Sequence, residues 1–338
     1  MLIALVACLA TSTVQPSVHQ IPYLVATQPV PDDADDPAIW VNKSNPSQSR
    51  VIGTNKVKRP TGGLYVFNLD GKIVQKITGL DRPNNVDVYQ NWNGLDIAVC
   101  TERLQGRLRI YKIDPRGTLS DLTGKTDVAM KGTADYGEPM GIALWKSKIT
   151  GNVYALVSPK LGLAESYLEQ YQLKMNPATA KVDAIFVGRT GQFLGGKEIE
   201  SIAASVDGIS AFYSDETYGN RQLVLQDRPN GYMDARPAWN TDFKGDHEGI
   251  GLWEKGAKRF AVFTDQLKDR SVYTVTSFTG TRLGQFTAGA DETDGIAVTS
   301  ANLGPKFPDG LMVVMDSKNR RFLYLGWREI ARTLKLKN

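Results

Sequence analysis

A short pattern, one polar or acidic residue followed by a small residue and an apolar strand, recurs six times along this chain. Its copies begin at Asp36, Asn85, Met140, Glu200, Glu248 and Asp294, at intervals of 49, 55, 60, 48 and 46 residues. A second series lies between them: Thr54-Asn55-Lys56, Thr101-Glu102-Arg103, Ser158-Pro159-Lys160, Ser214-Asp215-Glu216, Thr264-Asp265-Gln266 and Met315-Asp316-Ser317. Each triplet closes 16–23 residues after its partner in the first series. Two interleaved series with one period mark a repeated unit of several strands. Such a unit needs neighbours, because one small sheet cannot bury both faces alone.

The segments between the repeats are short β-branched and aromatic runs closed by turn residues, as in Gly63-Leu64-Tyr65-Val66-Phe67 before Asp70-Gly71. Helical periodicity is nearly absent, and Trp327–Ala331 is the best helical candidate. The expected fold is an all-β, six-bladed β-propeller with blades of four to five antiparallel strands. Residues 20–338 would form one domain. The run Pro22-Tyr23-Leu24-Val25-Ala26 is placed to pair with the last blade and close the ring, which removes an exposed edge.

Met1–Ala10 is strongly apolar but too short to span a bilayer, for which roughly 20 apolar residues are needed. Residues 1–19 are therefore expected to be a signal peptide or a lipoprotein leader. Leu5-Val6-Ala7-Cys8 resembles a lipoprotein cleavage box, which would put a lipid anchor on Cys8. The expected location is outside the cytoplasm of a bacterium: periplasmic, on the outer membrane or secreted.

Residue usage narrows the chemistry. The chain has two histidines, His19 and His247, and two cysteines, Cys8 and Cys100. That excludes a multi-histidine zinc site, a thiolate cluster and, with His19 in the leader, nearly excludes a Ser-His-Asp triad. A net charge of +4 in 338 residues gives no case for nucleic-acid binding. Carboxylates, Lys and Arg must carry any chemistry. His247 is expected to be structural and Cys100 a small buried hydrophobe.

In a ring, the first series marks each inner strand near the channel mouth and the second marks an adjacent loop on the same rim. The first three loops end in cations, Lys56, Arg103 and Lys160. The last three carry Asp215 with Glu216, Asp265 and Asp316, and the first series adds Asp36, Glu200, Glu248 and Asp294. A cationic wall facing a carboxylate cluster is expected. Unit charges of like sign about 4 Å apart repel by about 4 kcal/mol at an effective dielectric near 20, so such a cluster calls for protons or metal. An all-oxygen donor set selects a hard cation, and calcium suits it better than zinc or magnesium. Taken singly, an Asp-Gly or Glu-Gly dipeptide usually marks only a turn, and Asp32–Asp36 reads equally as a solvated entry loop. Gly191–Lys197 has phosphate-loop spacing, but Glu198 stands where a Ser or Thr would hold magnesium and no βαβ pattern surrounds it, so it reads as an inter-blade loop.

The segments Asp35-Asp36-Pro37-Ala38-Ile39-Trp40, Asn84-Asn85-Val86-Asp87, Glu198-Ile199-Glu200, Tyr213-Ser214-Asp215-Glu216, Asp246-His247-Glu248-Gly249 and Thr293-Asp294-Gly295-Ile296 resemble the β-propeller phytases, in order and over nearly the whole chain. The resemblance implies a calcium-dependent phosphatase of the 3-phytase type, with several calcium ions in the channel mouth, releasing phosphate from phytate or calcium phytate. It implies phosphate contacts from Lys56, Arg103 and Lys160, and catalytic roles for these with Glu200 and Glu216. It implies metal ligands among Glu200, Asp215, Glu216, Asp246, Glu248 and Asp294, with Asp36, Asn85 and Asp87 as further candidates. Three departures bear on turnover and substrate preference. Met140 stands where a phosphate-contacting Tyr is usual, Leu161 where an acid is usual, and the loop Gly289–Thr293 is short.

For such a site the expected reaction is direct attack of water on phosphorus, with no covalent intermediate and no phosphohistidine. A monomer is expected. The alternatives are a calcium-dependent lactonase or esterase on a six-bladed propeller, and a non-catalytic binding scaffold.

Overall fold

The computed structural model describes residues 17–129, 137–162, 165–229 and 234–337. Cys8 and nearly all of the expected leader lie outside these residues. Six sheets form a closed ring of blades. Their inner strands are Ala34–Trp40, Pro83–Trp92, Pro139–Lys146, Ile202–Ala204, Asp246–Lys255 and Ile296–Thr299, and each packs against the next, the sixth against the first. Within each blade the strands run antiparallel in sequence order.

The N-terminal segment closes the ring. Val25–Ala26 pairs antiparallel with Leu323–Tyr324 as the outer strand of the sixth blade. Just before it, Val18–Gln20 pairs parallel with Gln285–Thr287 and makes the fifth blade five-stranded. The expected boundary at Gln20 thus falls inside a strand, and one short segment holds the last two blades together. The helix Trp327–Thr333 caps their junction, with Trp327 stacked on Trp253 at 5.3 Å.

The core is divided among the blade junctions, each with its own apolar cluster. Between the first and second blades, for example, Ile52, Leu64 and Val66 meet Val86, Ala98 and Tyr111. Cys100 is buried in that cluster as a free thiol, and burial pushes its pKa up.

Polar fastenings join the inner strands. In the second and third blades the Thr or Ser opening the second-series triplet takes an N–H from its own inner strand and gives its proton to a carbonyl of the next blade. Thr101 Oγ1 accepts from Asn85 N at 3.1 Å and donates to Met140 O at 2.7 Å. Ser158 accepts from Gly141 N at 2.9 Å and donates to Ile199 O at 2.6 Å, and Ser214 donates to Glu248 O at 2.7 Å. A Thr101→Val substitution keeps the shape and strands two buried backbone groups. It should cost about 1–3 kcal/mol and lower Tm by roughly 1–4 °C in a thermal melt.

Candidate functional site

The two sequence series meet at one rim because each blade's first two strands are antiparallel. The start of an inner strand lies beside the end of its neighbour, as Ala34 lies beside Asn55 and Asp246 beside Gln266. Residues just beyond these ends therefore face one mouth of the channel.

Lys56 lies deepest. Its backbone N–H donates to Asp33 O at 2.8 Å, and its Nζ lies 2.5 Å from Asp35 Oδ1, 3.3 Å from Asp294 Oδ2 and 3.5 Å from Glu200 Oε1. Burial opposes the charge on this ammonium, but the three carboxylates hold its pKa well above the ordinary lysine value. Glu200 also accepts from Asn84 Nδ2 at 2.7 Å. Burial pushes the Glu200 carboxyl up, yet Lys56, the Asn84 hydrogen bond and Arg103 outweigh it and leave the pKa below the usual value.

Two groups of three carboxylates converge beside this centre, Glu198 with Glu200 and Glu216, and Glu216 with Asp246 and Glu248. In each group one oxygen per residue lies within 4.8 Å of the others, the span of oxygens that surround one ion at about 2.4 Å. Glu216 belongs to both groups. Burial, followed by repulsion from Glu200, Glu198 and Asp246, pushes its pKa up to about 9. Burial and then Glu200, Glu216 and Asp294 push Glu248 well above the usual range. Asp35 is raised in the same way, by burial first and by Asp294 and Glu200 against Lys56.

The donor set fits a hard cation. Asp35 Oδ2 and Glu216 Oε1 are buried with no hydrogen-bond donor, which a folded protein tolerates poorly unless something positive completes them. Every side-chain donor in the two groups is a carboxylate oxygen.

The expectation of a cationic wall opposite a carboxylate wall is corrected by the structure, because the charges interleave. Lys56 sits among three acids. Arg103 Nε pairs with Glu138 Oε2 at 2.7 Å, and Lys160 Nζ with Glu198 Oε2 at 2.5 Å. Each cation lies at the end of one blade's second strand, and for Arg103 and Lys160 the partner acid precedes the next blade's inner strand. This neutralises charge locally.

The other sequence candidates take different positions. Asp36 Oδ2 accepts from Val86 N at 2.9 Å and Asp87 Oδ2 from Leu144 N at 2.7 Å, so both fasten one inner strand to the next. Burial raises both carboxyls, Asp87 to about 6. Asn85 Oδ1 accepts from Asn84, which links it to Glu200. Asp215 accepts from the backbone of Leu194, Thr217 and Tyr218 and shapes the loop that carries Glu216. Asp265 holds Lys244 N and Gly245 N, and Asp316 holds Arg321 Nε at 2.8 Å, so neither joins the carboxylate groups. His247 faces away from the acids that flank it. Its ring stacks on Phe243, and its two nitrogens lie 2.9 Å from Glu216 O and 2.8 Å from Asn240 O.

Glu138 and Glu198 were given no role from sequence. A signal was present: two residues ahead of the first series stand Glu138, Glu198 and Asp246 in three successive blades. Equivalent positions of a repeated unit fall at equivalent places in the ring, so an acid recurring at this register points to the same rim.

Comparison with known proteins agrees with this architecture. A calcium-binding regucalcin from Agrobacterium tumefaciens superimposes with a TM-score of 0.56 at 11% identity, covering 92% of this chain and 96% of that one. A candidate 6-phosphogluconolactonase from Bacteroides uniformis gives a TM-score of 0.52 at 12% identity, over 85% of this chain and 79% of that one. At these identities the likeness is one of fold alone. The 3-phytase of Bacillus subtilis is 30% identical over 341 residues, which covers 90% of this chain and 81% of that protein. The family model described as Phytase matches residues 9–322. With that match over most of its length, and acids and cations gathered at one channel mouth, the chain belongs to the phytase family.

Proposed function

We propose that this chain is a phosphomonoester hydrolase that releases phosphate from phytate, using calcium ions held in the channel mouth. The observation that carries the reading is the pair of carboxylate groups sharing Glu216, set beside the ion-paired cations Arg103 and Lys160. Glu198, Glu200, Glu216, Asp246 and Glu248 would hold calcium, and Asp35 and Asp294 would complete the donor set around Lys56. When bound, calcium neutralises the acid groups and supplies Lewis-acid stabilisation of charge on phosphoryl oxygens.

The chain's own residues supply binding and orientation. Arg103, whose guanidinium is planar, would grip two oxygens of one phosphate, and Lys160 would add a point charge beside it. To do so, each must exchange its acid partner for substrate. Lys56 serves differently in this reading. It is enclosed by three acids, so it holds Asp35, Glu200 and Asp294 in position rather than reaching out. Truncation as Lys56→Met leaves those buried acids without their cation and should cost about 3–5 kcal/mol. The expected result is a large fall in Tm in chelator, partly recovered on adding calcium.

The two described histidines offer no nucleophile, since His19 lies in the strand of the fifth blade's outer edge and His247 is engaged by two carbonyls. Water is therefore the attacking group in this reading. Hydrolysis in H₂¹⁷O of a thiophosphate monoester made chiral with ¹⁶O and ¹⁸O should invert configuration at phosphorus. Retention would require a covalent intermediate and would overturn direct attack.

The decisive assay measures phosphate release from phytate by the purified chain, with and without calcium. Arg103→Ala and Lys160→Ala should each lower kcat/KM by about 10²-fold or more. Parent-like rates in both variants would refute the assignment. A lactone or simple ester turned over faster than phytate would favour the esterase alternative.

A further inference from the structure

The loop Gly191–Lys197 has phosphate-loop spacing without that fold, and the reading above gives it no role. It is fixed in place. Gly195 and Gly196 have φ of 82° and 133°, and a Cβ on Gly196 would lie 2.6 Å from Thr217 Oγ1. Lys197 N donates to Thr217 Oγ1 at 3.3 Å, and Glu216 N donates to Glu198 O at 3.1 Å. The loop is thus clamped to the turn that carries Glu216.

From this platform Lys197 Nζ pairs with Asp246 Oδ2. That hydrogen bond, against burial, raises its pKa, and Asp246 belongs to the second carboxylate group with Glu216 and Glu248. Yet its side chain is 55% exposed, against 11% for Lys56 and 8% for Arg103. Lys197, in the loop between the third and fourth blades, is a further cation paired with a rim acid, beside Arg103 with Glu138 and Lys160 with Glu198.

We propose that Lys197 is a substrate-binding cation released by metal: it neutralises Asp246 while the Glu216–Asp246–Glu248 group is empty, and turns to a substrate phosphate once a divalent ion takes that acid. The inference rests on the calcium-dependent phosphatase reading. Its physical basis is competition for one carboxylate. A dication held by the three acids attracts Asp246 and repels the ammonium beside it. Lys197 can respond because its charge ends a flexible, exposed stem, whereas Lys56 is enclosed. A polyanion with several phosphates profits from a further cation at the rim, in a chain where Met140 offers no hydroxyl. By linkage, metal and phosphate each favour the other's binding through this residue.

Calorimetry on the full chain tests this with Lys197→Met and Lys197→Arg, whose side chain is exposed enough to change without loss of the fold. The probes are calcium alone, and myo-inositol hexasulfate added to calcium-loaded protein. Removing the competing ammonium should tighten calcium binding at this group in Lys197→Met by about 3–10-fold. The same variant should bind hexasulfate about 5–20-fold more weakly, and Lys197→Arg should restore it to within about threefold of the parent. Calcium affinity equal to or below the parent's, or hexasulfate affinity unchanged in Lys197→Met, would overturn the role of Lys197. A calcium-loaded parent that fails to bind hexasulfate would instead overturn the phosphatase reading itself.

Discussion

Chelation of calcium should abolish phosphate release and lower Tm by about 6 °C or more relative to the calcium-saturated protein. The size of the shift follows from mass action. An ion present at about 1,000 times its Kd, and bound only by the folded state, adds about 4 kcal/mol of stability. The sign follows from the site. Glu216 Oε1 and Asp35 Oδ2 are buried without donors, and Glu200, Glu216 and Glu248 repel one another. Without a cation these acids destabilise the fold, and with one the same groups become its ligands. Differential scanning calorimetry and a phosphate assay on the same sample test both halves. Full activity in excess chelator, or an unchanged Tm, would sink the metal-centre assignment.

Glu216→Gln should separate stability from activity. The substituted amide keeps the shape but removes the charge shared by both carboxylate groups, so phosphate release should fall by about 10²-fold or more. In chelator, the variant should be more stable than the parent at neutral and alkaline pH. The Glu216 carboxyl has its folded pKa raised to about 9 from an ordinary value of 4.5. Over that window the folded, metal-free protein retains a proton that the unfolded chain has released. Its contribution to stability is therefore full below about pH 4.5 and is lost as pH rises toward about 9. The Gln variant lacks this titration, so its metal-free Tm should depend less on pH between those values. Saturating calcium should reverse the order, because the ion then occupies the place of the proton. A parent and variant with parallel pH profiles in chelator would show that Glu216 is not held protonated by its neighbours.

Much of the architecture was legible in the chain because the blade repeat is a local property. Each inner strand and its partner lie within one hairpin, so the two series could be counted before any sheet was seen. The closing strand Val25–Ala26, the short C-terminal helix and the buried Cys100 followed from edge protection, periodicity and residue type. The hydroxyls of Thr101, Ser158 and Ser214 were visible at the same triplet position, but their use as fastenings depends on the neighbouring blade.

The site was legible as a set of charges, less so as an arrangement. Lys56, Arg103, Lys160, Glu200, Glu216, Asp246, Glu248 and Asp294 were each picked out, and the ring brings them to one channel mouth. Their partners were not, and Glu138, Glu198 and Lys197 had no assigned role. Asp36, Asp87 and Asp215 look like ligands in sequence but accept backbone N–H groups in the structure.

By itself the amino-acid order determined the number of blades, the rim on which the charges fall and the hardness of the cation they suit, because spacing and donor type are properties of local chain. Only the closed ring decided which charge neutralises which. Lys56 and Asp294 are 238 residues apart, and their contact exists because the first blade lies against the sixth. At a few ångströms the Coulomb interaction depends on separation in space, which only ring closure sets.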